Sequence, residues 1–166
     1  MKKSLRIVAG ALVIAAGFWI FRILFPGDES LIRKLLAQAA EVAAVKPNEN
    51  PIFKLAGANK LVGFFSPDAV IEVEVSGADL RSIRGREDLQ QAITAAQASL
   101  QEAQIQLHEV HLNVDPDRQS ATAQLVVSAY LNGSGDPLVQ ELKVNLKKID
   151  RRWKITHLGT VKTIGL

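Results

Sequence analysis

From Gln104 onward the apolar residues of this chain return at every second position, and that period decides most of what the chain can become. Side chains alternate across a strand, so four successive stretches, 105–114, 121–131, 138–149 and 153–164, read as long strands with one buried and one wet face. The connecting residues are rich in Asp, Pro, Gly and Asn and suit antiparallel turns. In the third stretch Leu138, Leu142, Val144 and Leu146 share one face, while Glu141, Lys143, Asn145 and Lys147 share the other. In the first, the apolar parity slips between Leu107 and Val110, which predicts a bulge near His108 and Glu109 that curves the sheet.

The preceding residues follow a helical period. Leu31, Ile32, Leu35, Leu36, Ala39, Ala40, Val42 and Ala43 recur every three or four positions, with Arg33, Lys34, Gln38 and Glu41 on the wet side, and Asp28 and Ser30 offer caps. Asn50 before Pro51 marks the start of a short helix running toward Phe65, weakened by Gly57 and Gly63. Ser66, Pro67 and Asp68 read as a turn, and 70–75 as a half-buried strand with Glu72 and Glu74 outward. After Gly85, the stripe Leu89, Ala92, Ile93, Ala96 and Leu100 predicts a third helix.

The N-terminus has a composition of its own. Every residue from Ile7 to Phe21 is apolar or Gly, and only Arg22 interrupts the run to Phe25, giving about 19 residues or roughly 28 Å of helix, enough to span a bilayer. Trp19 suits an interfacial belt, and Arg22 can snorkel beside it. Lys2, Lys3 and Arg6 precede the run. They also fit a cleaved signal peptide, but 18–25 continues hydrophobic past any cut after Ala15 or Ala16, so an uncleaved anchor is expected. By the positive-inside rule the N-terminus is cytoplasmic and everything after Pro26 lies on the opposite side, periplasmic or extracellular. The chain thus divides into a signal-anchor helix at 1–27 and one domain at 28–166.

With no cysteine among the 166 residues, disulfides, thiolate metal sites and cysteine nucleophiles are excluded. The formal charge of +3 owes its excess to the three cations before the hydrophobic run. A basic group remains at Lys143, Lys147, Lys148, Arg151, Arg152 and Lys154, without the aromatic platform of single-strand binders, so it reads as a solvated sheet edge or turn in preference to a phosphate or anionic-lipid contact, and no nucleic-acid partner is expected.

Three local patterns carry a resemblance: Phe64-Phe65-Ser66-Pro67-Asp68-Ala69-Val70-Ile71, then Ile83-Arg84-Gly85-Arg86-Glu87-Asp88-Leu89, then Asp150-Arg151-Arg152-Trp153-Lys154-Ile155-Thr156-His157. In their order and spacing, over most of 31–164, they resemble the nuclear transport factor 2-like superfamily, including its SnoaL-like branch. The resemblance implies an α+β, cystatin-like cone, with three helices packed in a curved antiparallel sheet and often an apolar pocket at the open end. It also implies that a homodimer through an exposed sheet face is a common arrangement. Activity in that superfamily ranges from isomerases and dehydratases to interaction modules, so fold alone does not assign it.

Candidate chemistry is sparse. His108-Glu109-Val110-His111 is one residue short of the H-E-x-x-H metal motif and lies in a strand, so no metal site is assigned. His157 shares parity with Trp153 and Ile155, and the resemblance points it to the cone interior; His157 and His111 are the candidate acid-base residues. His157, Trp153, Leu142 and Val144 are the candidate ligand contacts. Tyr130 has the opposite parity to Leu125, Val127 and Ala129, Asp68 reads as a cap, and Asn132-Gly133 reads as a hairpin signal before a glycosylation site. No cofactor is indicated. Two functions follow: a membrane-anchored extracytoplasmic module that binds a protein partner or a small apolar ligand, or an isomerase, dehydratase or cyclase with one of those histidines in an apolar pocket.

Overall fold

The period-two stretches fold as four long strands of one sheet. The computed structural model describes residues 27–73 and 81–161. Its elements follow in the order α1 (Asp28–Ala43), α2 (Pro51–Val62), β1 (Phe65–Val73), β2 (Arg81–Arg84), α3 (Gly85–Ser99), β3 (Ala103–Val114), β4 (Ser120–Leu131), β5 (Leu138–Ile149) and β6 (Arg152–Thr160). The hydrophobic segment 7–25, with Trp19 and Arg22, lies outside the described residues, as do the predicted strand ends at Val75 and Ile164. Among the described residues no helix is long and apolar enough to cross a membrane.

The six strands lie in the order β2-β1-β6-β5-β4-β3. The expectation of a wholly antiparallel sheet is corrected at one ladder, since β1 runs parallel to β6 with Ile71 opposite Leu158. These strands stand at opposite ends of the domain sequence, so no hairpin turn dictates their relative direction. Strand β2 has no period-two signature: it is four residues at the sheet edge with only Ile83 half-buried. Ser66, Pro67 and Asp68 are part of β1 and not a separate turn. The register jumps between Phe65 and Val70, and in that irregular stretch a proline costs no ladder hydrogen bond.

Two bulges bend the sheet. In β3, His108 pairs with Val126 and His111 with Gln124, so Glu109 and Val110 together oppose one residue of β4, and Glu109 takes a positive φ of 50°. The expected curvature near His108 and Glu109 is therefore present. In β6, Ile155 pairs with Leu146 and His157 with Asn145, leaving Thr156 as the extra residue. Each insertion reverses the side-chain parity beyond it, because strand side chains alternate with period two.

The helices fill the concave side. Ile32 and Leu36 of α1, Leu89 of α3 and Val144, Leu146 and Ile155 of the sheet join one buried cluster. Leu31 departs from the predicted stripe at 39% exposure, and Leu138 is 56% exposed at the start of β5, where it pairs with Ala129. Helix α2 starts as expected: the Asn50 side chain accepts from Ile52 N at 2.9 Å and Pro51 opens the first turn. Gly85, at φ 81°, takes the left-handed turn between β2 and α3 that an L side chain resists.

Asp28 is the main departure at the N-terminal end of the domain. Gly27 occupies the cap position, and the carboxylate of Asp28, 7% exposed, is drawn inward. Lys148 Nζ donates to it at 2.6 Å, Arg118 Nε at 2.7 Å and Trp153 Nε1 at 3.1 Å. Lys148 also stands over the Trp153 ring, 5.0 Å from its centroid. The first turn of α1 is thus tied to the β3–β4 and β5–β6 turns.

The Lys148 hydrogen bond, outweighing burial and helped by Arg118 and Trp153, holds the Asp28 carboxyl at about 2 against an ordinary 3.8. A depressed folded pKa gives stability that is present above the ordinary value and lost as pH falls through the folded one. The shift corresponds to on the order of 2 kcal/mol. Asp28→Asn is therefore expected to lie about 2 kcal/mol below the wild type above pH ~5, with the gap closing between about pH 4 and 2, in denaturant unfolding measured across that range.

Candidate functional site

A cavity of about 310 Å³ opens between the helices and the concave sheet, toward the C-terminal end of α1. Leu142 and Val144 of β5 line it, beside Leu125 and Val127 of β4 and Leu158 of β6. It is roomy because α1 presents Ala39, Ala40 and Ala43 to it, where one turn earlier the same stripe carries Leu36 and fills its space. Among the described residues every lining side chain is aliphatic or phenylalanine. Such a cavity gives water no hydrogen-bond partner and favours apolar occupants. Its size matches the share of liquid held by about ten waters, at the lower end of small-molecule sites.

The candidate polar residues lie elsewhere. The Thr156 bulge places Leu158, and not His157, on the concave side, which corrects the expectation that His157 points into the cone with Trp153 and Ile155. His157 sits half-buried on the convex face, its Nε2 3.3 Å from Glu72 Oε2. Gly159 makes room for its ring, since a Cβ there would come within 3.0 Å of His157 Cε1. His111 is exposed, and the β3 bulge turns it to the same side as His108. The two histidines thus share a face, whereas a regular strand would have opposed them. The described residues hold no group of three acidic or histidine side chains suited to a metal ion.

Trp153 is buried, but at the other end of the cone, bonded to Asp28 and outside the cavity wall. The basic group also differs from a simple solvated edge. Lys148 is bound to Asp28, and Lys154 Nζ donates to the Gly63 carbonyl at the end of α2. Burial, with Arg152 and Arg86 nearby, lowers the pKa of Lys154. Tyr130 is half-buried and paired with Gln104, and Asn132 takes a hairpin φ of 50° while its side chain accepts from Gln101 N at 2.8 Å.

No family model matches the sequence, and no curated protein matches it. Solved structures do resemble the fold. A nuclear transport factor 2-like protein with a cystatin-like fold from Novosphingobium aromaticivorans is 18% identical, with a TM-score of 0.63, over 92% of this chain and 90% of that one. A cystatin-like domain of unknown function from Nostoc punctiforme is 18% identical, with a TM-score of 0.64, over 86% and 81%. A scytalone dehydratase-like protein from Novosphingobium aromaticivorans is 12% identical, with a TM-score of 0.58, over 81% and 83%. At these identities the likeness shows the fold alone: the described residues have an α+β, cystatin-like fold with three helices and a six-stranded sheet.

The two faces of the sheet respond differently to substitution. Val144→Thr keeps the shape but puts a hydroxyl into a wall with no polar partner, and is expected to cost about 2 kcal/mol. His157→Ala and His111→Ala, on the convex face, are expected to cost less than about 1 kcal/mol each, all three read by urea unfolding.

Proposed function

We propose that this domain is a non-catalytic binding module whose cone holds a small apolar ligand, and that residues 7–25 anchor it in a membrane with the domain on the extracytoplasmic side. The observation that supports the binding reading is the wholly apolar lining of the cavity. A general acid or base must come within hydrogen-bond reach of the reacting group, directly or through one water, and among the described residues no lining side chain can give or take a proton. The isomerase, dehydratase or cyclase alternative assigned that role to His157 or His111, and both lie on the convex face. The dehydratase-like neighbour, at 12% identity, shares the fold alone.

The anchor reading rests on the uninterrupted run of Ile7 to Phe21, its continuation to Phe25, and the cations before it. Such a segment holds a ligand-binding cone at the bilayer surface, where apolar molecules partition.

Ala40→Phe fills the cavity from the helix side without adding a polar atom. The wild type is expected to bind the neutral fluorophore 1-aminoanthracene saturably. The Phe variant is expected to bind it at least about tenfold more weakly while melting within a few degrees of wild type. Equal binding by both proteins would remove the cavity as the site. For the anchor, the full-length chain is expected to remain in the membrane pellet after alkaline carbonate; its release would remove that part of the proposal.

A further inference from the structure

A second hollow lies at the opposite end of the cone, between the first half of α1, the end of α2 and the start of β6. Lys34, Lys60, Arg151, Arg152 and Lys154 line it, and among the described residues no acidic side chain does. Its apolar lining includes Leu31, Leu35 and Phe64. The arrangement does not neutralise itself. Asp28, the nearby buried carboxylate, is already bonded to Lys148, Arg118 and Trp153, and Lys154 is desolvated beside Arg152 and Arg86. Five cations held together around apolar side chains are complementary to an anion with an apolar neighbourhood.

The chain path says which anion is within reach. Helix α1 begins at Asp28, three residues after Phe25, the last residue of the hydrophobic run, and three residues reach at most about 10 Å. If that run spans the bilayer, the Asp28 end of the cone stands at the headgroup layer. Arg151 in the β5–β6 turn and Arg152 at the start of β6, both exposed just before Trp153, stand at that end too. We infer that this hollow docks the domain on anionic phospholipid headgroups, with Lys34, Lys60, Arg151 and Arg152 on the phosphates and Leu31 and Phe64 toward the acyl boundary. The inference rests on the anchor proposed above for its geometry. Each cation near an anionic surface is worth about fivefold in association, and the attraction falls off within a Debye length.

The absence of cysteine makes a clean depth measurement available. The full-length chain carries a bimane label at Gln38→Cys, on the rim of the hollow, or at Val139→Cys, 61% exposed at the far start of β5. It is placed with vesicles containing a headgroup-nitroxide lipid, of phosphatidylcholine alone or with about 30 mol % phosphatidylglycerol. The Gln38 label is expected to be quenched several-fold more strongly in the anionic vesicles. That excess should vanish at about 1 M salt, while the Val139 label stays unquenched throughout.

Combined Lys34→Glu, Lys60→Glu, Arg151→Glu and Arg152→Glu should abolish the excess. The milder pair Arg151→Gln and Arg152→Gln, both exposed at the turn into β6, should weaken the charge-dependent association about 25-fold, at about fivefold per cation, and the excess quenching with it. Quenching of the Gln38 label that ignores lipid charge or the milder pair overturns the inference. So does a hollow that binds soluble polyglutamate while the label stays unquenched. A chain that leaves both vesicle types in carbonate yet keeps its anionic-dependent quenching shows that the anchor has failed and the docking stands. A carbonate-resistant chain without that quenching shows the reverse.

Discussion

Two inserted residues in the sheet govern the rest of this structure. A regular six-stranded sheet with these side chains would twist but would not close around helices. The extra residues in β3 and β6 bend it and exchange its faces partway along the strands. Beyond Glu109, even-numbered residues such as Leu112 take over the concave side from odd-numbered ones such as Leu107. Beyond Thr156, Leu158 takes over from Ile155, and His157 is turned out. The same two events that make room for a cavity thereby strip it of imidazoles.

What the cavity lacks is matched by what the convex face keeps. Glu72, Asn145 and His157 are brought together there by register, and Gly159 leaves the space the ring occupies. The pair is about one-third exposed at each side chain, so water screens its attraction and it adds little to folding. Polar groups lie where solvent can reach them, and the concave side is left to dispersion and exclusion of water.

The long strands, the first bulge and the Asn50 cap were legible because each has a local signature in period, parity or side-chain chemistry. The shared buried face of Leu142, Val144 and Leu146 was legible for the same reason. His157 was misplaced because its parity was counted from Trp153 through a second bulge that leaves no apolar slip: Thr156 and His157 are both compatible with either face. Strand β2 was missed because four residues with one half-buried side chain make no pattern. The partners of Asp28 stand 90 to 125 positions away, and no local rule connects an aspartate at a helix start to a tryptophan on the last strand. The alanines of α1 could have hinted at a cavity, since small residues on a buried stripe leave space when the facing strands do not advance to fill it.

The knot of contacts at Asp28 also decides how force would enter the domain. A pull exerted through the residues before Gly27 reaches α1 at its first turn, where the carboxylate is held from the β3–β4 turn by Arg118 and from the β5–β6 region by Lys148 and Trp153. The load is shared at once between the helix and two hairpins of the sheet, so the helix is not peeled away turn by turn. A domain tethered at that point is clamped at its base by these three contacts, at the end away from the mouth of the cone.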